Sequence, residues 1–506
     1  MVGLATVATR IFGFIRDMLI ASALGAGMVA DAYYVAFRIP NTLRRLVGEG
    51  ALTIAFIPVF VEERQRSEAD AWSLANAVAT FLFLLLLAIT AGSMLGAPWI
   101  VRLIALGFDD TPEKFALTVR LTRMMFPYIF FISLGALAMG ILNSLHHFLS
   151  PALAPVMLNL CLIGSVFWLA PRFDPPAIGL AIGVLLGGLA QLLFQLPALF
   201  RRGFRYRISF DYRNPAVQRI GLLLLPALFG MAVYQLSVFS STFLASFLDQ
   251  QGSITYLYYG NRLLEFPLGI FGVAIATAVL PTMSAYAAKG DTAKLVNTLS
   301  FAIRLMLFIT LPATVGLIVL RLPIVTLLFQ HGAFTPEASA GTAQAVFYYM
   351  LGLPAVAGAR ILVPVFYALK DTFTPAKCGA GSLVVNILCS LALMGPLQHC
   401  GLAFANSLSS LFYLALLVWL LRRRLGAIGW KRIAASAGKA LLAALIMGVC
   451  CAPFATLAVA HQWLVLPVIV GGVGMFLGTA WLLRIEELIF LKTLLLDRQK
   501  ARKLLQ

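Results

Sequence analysis

Residues 10–49 read RIFGFIRDMLIASALGAGMVADAYYVAFRIPNTLRRLVGE. This stretch places Arg10, Arg16, Asp17, Asp31, Arg38, Arg44, Arg45 and Glu49 inside two runs that are otherwise apolar enough to cross a membrane. An ionisable side chain at mid-bilayer costs roughly 2.5–3.5 kcal/mol even on the lenient insertion scale, so these groups must face protein or a watery cavity. Arginines outnumber acids in the stretch, which points to a cationic cavity built to hold an anion.

Working outward, the 506 residues are 61% hydrophobic and 11% charged, against about 25% charged residues in a soluble domain. The chain is read as an all-α polytopic membrane protein. Its net charge of +18 sits largely in short segments between apolar runs, where positive-inside topology accounts for it. With no basic soluble domain, nucleic-acid binding is set aside. The six cysteines, Cys161, Cys378, Cys389, Cys400, Cys450 and Cys451, lie in or beside apolar segments without CxxC spacing, so they read as small core hydrophobes. Ile20 to Ala26 has the small residues of a signal-peptidase site. Arg10, Arg16 and Asp17 interrupt the uncharged run that a signal peptide needs, so the segment is read as a retained first span.

A span needs roughly 20 residues, and fourteen segments qualify: 2–26, 30–61, 72–105, 116–143, 149–171, 176–200, 217–248, 253–287, 296–320, 338–368, 374–396, 400–421, 433–459 and 463–484. Connections alternate in charge. Residues 201–219 carry Arg201, Arg202, Arg205, Arg207, Arg213 and Arg219, and 422–432 carry Arg422, Arg423, Arg424, Lys431 and Arg432, while the tail adds Lys492, Arg498, Lys500, Arg502 and Lys503. The opposite connections hold little beyond Arg102, Lys114 and Arg172. By the positive-inside rule both termini are expected in the cytoplasm.

ILNSLHHFLSPA (Ile141 to Ala152) lies against VFYALKDTFTPA (Val365 to Ala376), with Leu145 falling on Leu369 and Pro151 on Pro375. Tyr33-Tyr34 echoes Tyr258-Tyr259 at nearly the same shift. Six spans per unit make the halves parallel repeats, a transporter plan with the substrate site near mid-membrane at their interface. The expected organisation is an N-terminal lobe at 1–200, a C-terminal lobe at 215–421, two additional helices at 433–484 and a basic tail at 485–506.

Residues seven apart on a helix lie within about 20° of each other. Asp31, Arg38 and Arg45 therefore form a stripe on span two, and Arg10 and Asp17 share a face of span one. Arg262 and Glu265, three apart, are neighbours on span eight and precede Pro267 and Gly269. Pro40, Gly48 and Gly50 interrupt span two in the same way. Broken helices at membrane depth are tolerated where they line a cavity. A guanidinium binds phosphate or carboxylate in a fork and stays charged when partly desolvated. The bland alternative, that Arg38, Arg44 and Arg45 snorkel to an interface, stays open, as does a purely structural Arg262–Glu265 pair. Asp17, Arg38, Arg45 and Glu49 are read as supporting charges.

Elsewhere the signals are weak. His146 and His147 have no third ligand nearby, so no metal is expected. Arg304 and Arg360 are single charges in later spans, and Lys439 is read as snorkelling. No GxxxxGK[ST], HExxH or GxSxG occurs, and Asp109-Asp110 has no partner cluster. The chain is read as a transporter rather than an enzyme.

The strings GFIRD (13–17), GAGMVADAYYVAFRIPNTLRRLVGEGA (25–51) and YYGNRLLEFPLGIFGVAIATAVLP (258–281) resemble the MurJ (MviN) lipid II flippases across essentially all fourteen spans. The resemblance implies a member of the multidrug/oligosaccharidyl-lipid/polysaccharide exporter superfamily in the bacterial cytoplasmic membrane. Such a protein moves an undecaprenyl pyrophosphate bearing a disaccharide-pentapeptide to the outer leaflet by alternating access. Arg10, Arg16, Asp31, Arg44, Arg262 and Glu265 match the family's cavity positions, and spans thirteen and fourteen match its groove for the lipid tail. Membrane lipids and the cell-wall synthesis machinery are the implied partners, and no cofactor is expected. Coupling to a monovalent ion or the membrane potential is left open. Some relatives place sodium between carboxylates of spans seven and eleven, where this chain offers Gln235, Ser240, Ser241, Thr242 and Asn386. Family members carry a slightly longer lead than the nine residues before Arg10. The rival readings are an exporter of another polyprenyl-linked glycan, which shares the electrostatics, and a cation antiporter, which an arginine excess disfavours.

Overall fold

A computed structural model describes residues 2–44, 52–211, 213–269 and 273–489. They form helices and short connections. The chain separates into two compact units, Met1–Thr255 with His331–Thr335, and Tyr256–Gln330 with Pro336–Gln506.

The first unit contains α1 (Val2–Leu24), α2 (Met28–Leu43), α3 (Leu52–Arg66), α4 (Glu68–Leu95) and the short α5 (Ala97–Ile104). It continues through α6 (Pro112–Met125), α7 (Pro127–Ser144), α8 (Leu149–Trp168), α9 (Ala177–Phe200) and α10 (Pro215–Ala245). The next helix, α11 (Ser253–Pro267), begins at the end of that unit and runs into the second. The second unit then holds α12 (Val273–Ala288), α13 (Thr292–Val319), the short α14 (Arg321–Phe329), α15 (Pro336–Ala368), α16 (Phe373–Leu397) and α17 (His399–Leu425). Two further helices, α18 (Trp430–Ala460) and α19 (Val465–Leu482), close the chain.

Ten helices among the described residues are long and apolar enough to cross a membrane. The other four expected spans fall on α1, on α2 with α3, on α10, and on α11 with α12. Pro40 lies inside α2, and Pro267 is the last residue of α11; the residues that join α2 to α3 and α11 to α12 lie partly outside the described residues. Gly48 and Gly50 lie outside the described residues.

The internal repeat seen in the sequence returns as local geometry. His146 (φ 57°) and Lys370 (φ 60°), two of the few non-glycine residues in the left-handed region, stand at equivalent places just after α7 and α15. Leu142 O accepts from His147 N at 2.8 Å, and Phe366 O accepts from Asp371 N at 2.9 Å, closing each helix end in the same way. The next residues open α8 and α16 alike. His147 meets Ser150 at 3.0 Å, while Asp371 accepts from Thr374 Oγ1 at 2.6 Å. An arginine just past α9 reaches the first turn and one near the end of α17 reaches the second: Arg202 donates to His147 Nδ1 at 2.7 Å, and Arg424 pairs with Asp371. The short helices α5 and α14 also start at positions related by the repeat, Ala97 and Arg321. The repeat thus preserves turns and clasps while exchanging the residues that make them.

In the second unit α18 packs on α13 and α19 packs on α18. Glycine makes the approach close: a Cβ on Gly448 would lie 2.6 Å from Val315 Cγ1, and one on Gly472 would lie 2.9 Å from Cys451 Sγ. Val449, Val470 and Leu482 stay exposed on the outside of this pair, as residues facing hydrocarbon should.

The clasp on His147 predicts a pH dependence. Burial, and then the Arg202 guanidinium, hold its pKa below the ordinary 6.5, so the ring is neutral at pH 7 and its Nδ1 can accept. The associated stability is complete above 6.5 and is lost as pH falls through the lowered folded-state value. An NMR titration of His147 should give a pKa below 6.5, and Arg202→Gln should move it upward.

Candidate functional site

The charged stretch resolves into two knots and a set of accessible arginines. Asp31, in the first turn of α2, is 1% exposed. Its Oδ1 accepts from Thr255 N at 3.0 Å and Thr255 Oγ1 at 2.8 Å, and its Oδ2 accepts from Gly252 N at 3.0 Å and Lys114 Nζ at 3.0 Å. A carboxylate that accepts backbone N–H groups at a helix start satisfies donors that the helix itself cannot. Asp31 does this for α11 from far along the chain. Lys114, over the Phe108 ring at 4.1 Å, supplies the counter-charge.

Two further contacts mirror each other near this cap. Ala333 N donates to Ser22 O at 2.8 Å, and Gly107 N donates to Ser246 Oγ at 3.1 Å. Ser22 and Ser246 occupy equivalent places in the repeat, and so do the loops that meet them. Neither approach leaves room for a side chain. A Cβ would come within 2.5 Å of Ser22 O at Gly332, which has φ +57°, and one at Gly107 would collide with the Ser246 carbonyl.

The second knot ties α1 to α8. Arg16 donates to Asp17 Oδ1 through Nε at 3.0 Å and Nη2 at 2.6 Å, and to Asn159 Oδ1 through Nη1 at 3.1 Å. Asn159 in turn donates to Thr9 O at 3.1 Å. The Arg16 side chain is 11% exposed and that of Asp17 1%, so the guanidinium is fixed in direction by partners on two helices.

The remaining arginines of the stretch are more open. Arg10 is exposed on α1, and Arg38 and Arg44 are half-buried. Arg38 donates to Thr242 on α10, and Arg44 Nε donates to Asn41 Oδ1 at 3.1 Å. Arg45 and Glu49 lie outside the described residues. In the second unit Arg262 and Glu265 stand 3.5 Å apart with side chains 30% and 32% exposed, and Arg360 donates to Leu268 O at 3.4 Å, where α11 ends.

The sequence profile described as Lipid II flippase MurJ matches residues 20–473. A probable lipid II flippase MurJ of Vibrio cholerae serotype O1 is 38% identical over 81% of this chain and 80% of its own length. The chain belongs to the MurJ lipid II flippase family. A solved structure, "Lipid II flippase MurJ, inward closed conformation", is 27% identical with a TM-score of 0.80, covering 95% of this chain and 98% of that one. A multidrug resistance MATE family transporter of the MOP superfamily in an inward-facing conformation shares the fold, with a TM-score of 0.69 at 16% identity over 83% of this chain and 95% of that one.

Sequence reasoning missed several of the partners that these charges have in the structure. Lys114 stood out only as a loop charge, and Thr255 not at all, although the shift that aligns the halves also connects Asp31 with Thr255. Asn159 was legible as an amide within the apolar fifth span. Of the residues considered for sodium, Thr242 accepts from Arg38, and Asn386 is buried and donates to Ser409 Oγ at 3.3 Å. Among the described residues no group of three or more His, Cys, Asp or Glu is placed to hold a metal ion.

Removing one partner of a buried, hydrogen-bonded charge pair costs about 3–5 kcal/mol. Asp31→Ala should therefore loosen the start of α11, and a cysteine at the buried position Ser253 should react with a thiol reagent at least tenfold faster in the Asp31→Ala background. Equal rates would show that Asp31 does not hold this segment. Gly107→Val, which forces a side chain into the Ser246 backbone, should lower the unfolding temperature and raise reactivity at the same cysteine.

Proposed function

We infer that the chain is a lipid II flippase: a membrane transporter, not an enzyme, that moves the lipid-linked peptidoglycan precursor across the bilayer. The observation that carries this reading is an asymmetry within one stretch. The two described acids of the stretch, Asp17 and Asp31, are 1% exposed and bonded to protein donors, whereas Arg10 is exposed and Arg38 and Arg44 remain partly accessible, as Arg262 does in the second unit. In the first unit an approaching anion therefore meets guanidinium groups while the described carboxylates of the stretch are turned inward. Pyrophosphate is the anionic part of lipid II, and forked guanidinium contacts suit its oxygens.

The roles then divide. Arg10 and Arg44 are assigned to the pyrophosphate in the first unit, with Arg16 held at fixed orientation by Asp17 and Asn159 for the same purpose. Arg262, its charge tempered by Glu265, is assigned to the same ligand in the second unit. Asp31, although grouped with the cavity residues on sequence grounds, is assigned to closure: it fastens the beginning of α11 and must be released when that region opens. Alternating access supplies the reason for a fastening that can be undone, since an equilibrium shifts only when ligand binding favours one state. Ion gradients and the membrane potential both remain available as energy sources for a chain with no nucleotide-binding motif. Both termini are assigned to the cytoplasm from the basic connections, and α18 with α19 is assigned to the polyprenyl tail. Cell-wall synthesis enzymes are the partners this reading calls for.

The test is depletion of the protein in its host with a leaflet-specific probe of lipid II. Outer-leaflet lipid II should fall, and an unchanged level would overturn the reading. Within it, Arg10→Ala and Arg262→Ala should each reduce flipping at least tenfold at normal protein level, because each removes an accessible cation. Arg16→Ala should in addition lower thermal stability, since it leaves the Asp17 charge buried without its guanidinium.

A further inference from the structure

The second unit contains a cavity of roughly 770 Å³ between the start of α18 and the first half of α13, within the range of about 300–1,000 Å³ typical of ligand pockets. Its walls combine Lys294 and Arg304 of α13 with Lys431 and Arg432 of α18, and Phe301 and Trp430 supply aromatic surface. The site is distinct from the charged stretch of α1 and α2, and the uncharged polyprenyl tail assigned to α18 and α19 gives its cations no task.

Its charges are not equivalent. Lys294 is paired with Asp291 at 3.1 Å. Arg304 is held by the segment after α19, through Glu486 at 2.7 Å and the buried Glu487 at 3.0 Å. Lys431 and Arg432 are exposed; Glu486, already paired with Arg304, is near enough for the Arg432 charge to help hold its carboxyl below the usual range, and no acid among the described residues forms a direct salt bridge with Lys431. Both stand in the first turn of a helix of 31 residues that has no acid in that turn and no side-chain cap. A helix start already carries partial positive charge and favours anions, so two cations placed there are repelled by the backbone as well as by each other. Positive-inside topology requires basic residues somewhere in the connection 422–432; it does not require them on the first turn of the helix, facing a cavity. An anion in the cavity relieves this repulsion from both sources at once. The aromatic rim, with Trp430 at the start of a span, fits the boundary where rings sit at headgroup level, and basic pockets between spans on the cytoplasmic side take lipid headgroups.

We propose that this cavity binds the phosphate group of an anionic membrane phospholipid, with Lys431 and Arg432 as its ligands and Arg304, braced by Glu486 and Glu487, as a fixed wall. The chemistry is that of a phosphate monoanion. The lipid is its source because the cavity opens at the end of a span, where headgroups are concentrated.

The test uses the full-length protein in detergent, with native mass spectrometry after exchange into phosphatidylglycerol or phosphatidylethanolamine. Phosphatidylglycerol should be retained preferentially, and K431Q/R432Q should weaken retention about fivefold per cation removed, about 25-fold for both. R422Q/R423Q, which removes the same charge outside the cavity, should leave retention unchanged. Asn297→Trp, which fills the cavity without altering charge, should also abolish the preference, so that a failure of K431Q/R432Q to fold would not decide the question. Equal retention in wild type and both cavity variants, or an equal loss in R422Q/R423Q, would overturn the site. Displacement of phosphatidylglycerol by millimolar inorganic phosphate, with inorganic phosphate alone raising the unfolding temperature of wild type but not of Asn297→Trp, would overturn the lipid as source.

Discussion

The bond on which the first unit depends is the cap that Asp31 provides for α11. A carboxylate withdrawn from water to 1% exposure is tolerable only when its lone pairs are met, and here four donors meet them from two separated parts of the chain. One residue thereby fixes where α11 begins and where Lys114 rests. Because α11 carries Arg262 and Glu265 further along, the cap on its first turn also sets the start of the helix that presents them. Fully satisfied, such a network holds one arrangement strongly; deprived of one member, it holds it poorly. That all-or-none character suits a transporter that must be closed firmly in one state and opened in another.

The same economy is visible in the repeat. Similarity between the halves is faint at the level of residues, yet both end a helix with a left-handed non-glycine residue, begin the next with a side-chain turn, and clamp it with an arginine from near the end of a later helix. One half uses a histidine and the other an aspartate for the clamped position. Their responses to pH are accordingly different: His147 is held neutral by burial and Arg202, whereas Asp371 is held ionised chiefly by its bonds to Thr374 and also by Arg424. The mirrored meetings of Ser22 with Gly332 and of Ser246 with Gly107 extend the symmetry to contacts far apart in the chain. Each is a place where only hydrogen fits, so the backbone itself forms the seal.

The sequence on its own determined the class of protein and pointed to a cationic site. Long apolar runs can satisfy their backbone in a bilayer only as helices, and the ionisable groups in residues 10–49 demanded a protected environment whatever the topology. The arginine excess then pointed to an anion, and the strings around Arg16, Asp31 and Arg262 resembled the right family. These properties follow from transfer energies and from local residue types, which a linear reading contains in full.

What only the tertiary structure decided is which charges are buried and what each of them touches. Asp31 and Arg44 look alike in sequence, two ionisable residues on one amphiphilic span, but one is sealed against Lys114 and the start of α11 while the other stays half-buried beside Asn41. Arg10 and Arg16 are likewise separated by the presence of Asn159 opposite one of them. Burial, partner and direction arise from segments remote in the chain, Lys114 and Thr255 for Asp31 and Asn159 for Arg16. At membrane depth those partners, more than the residue type, fix how far a charge is withdrawn and in which direction it is held.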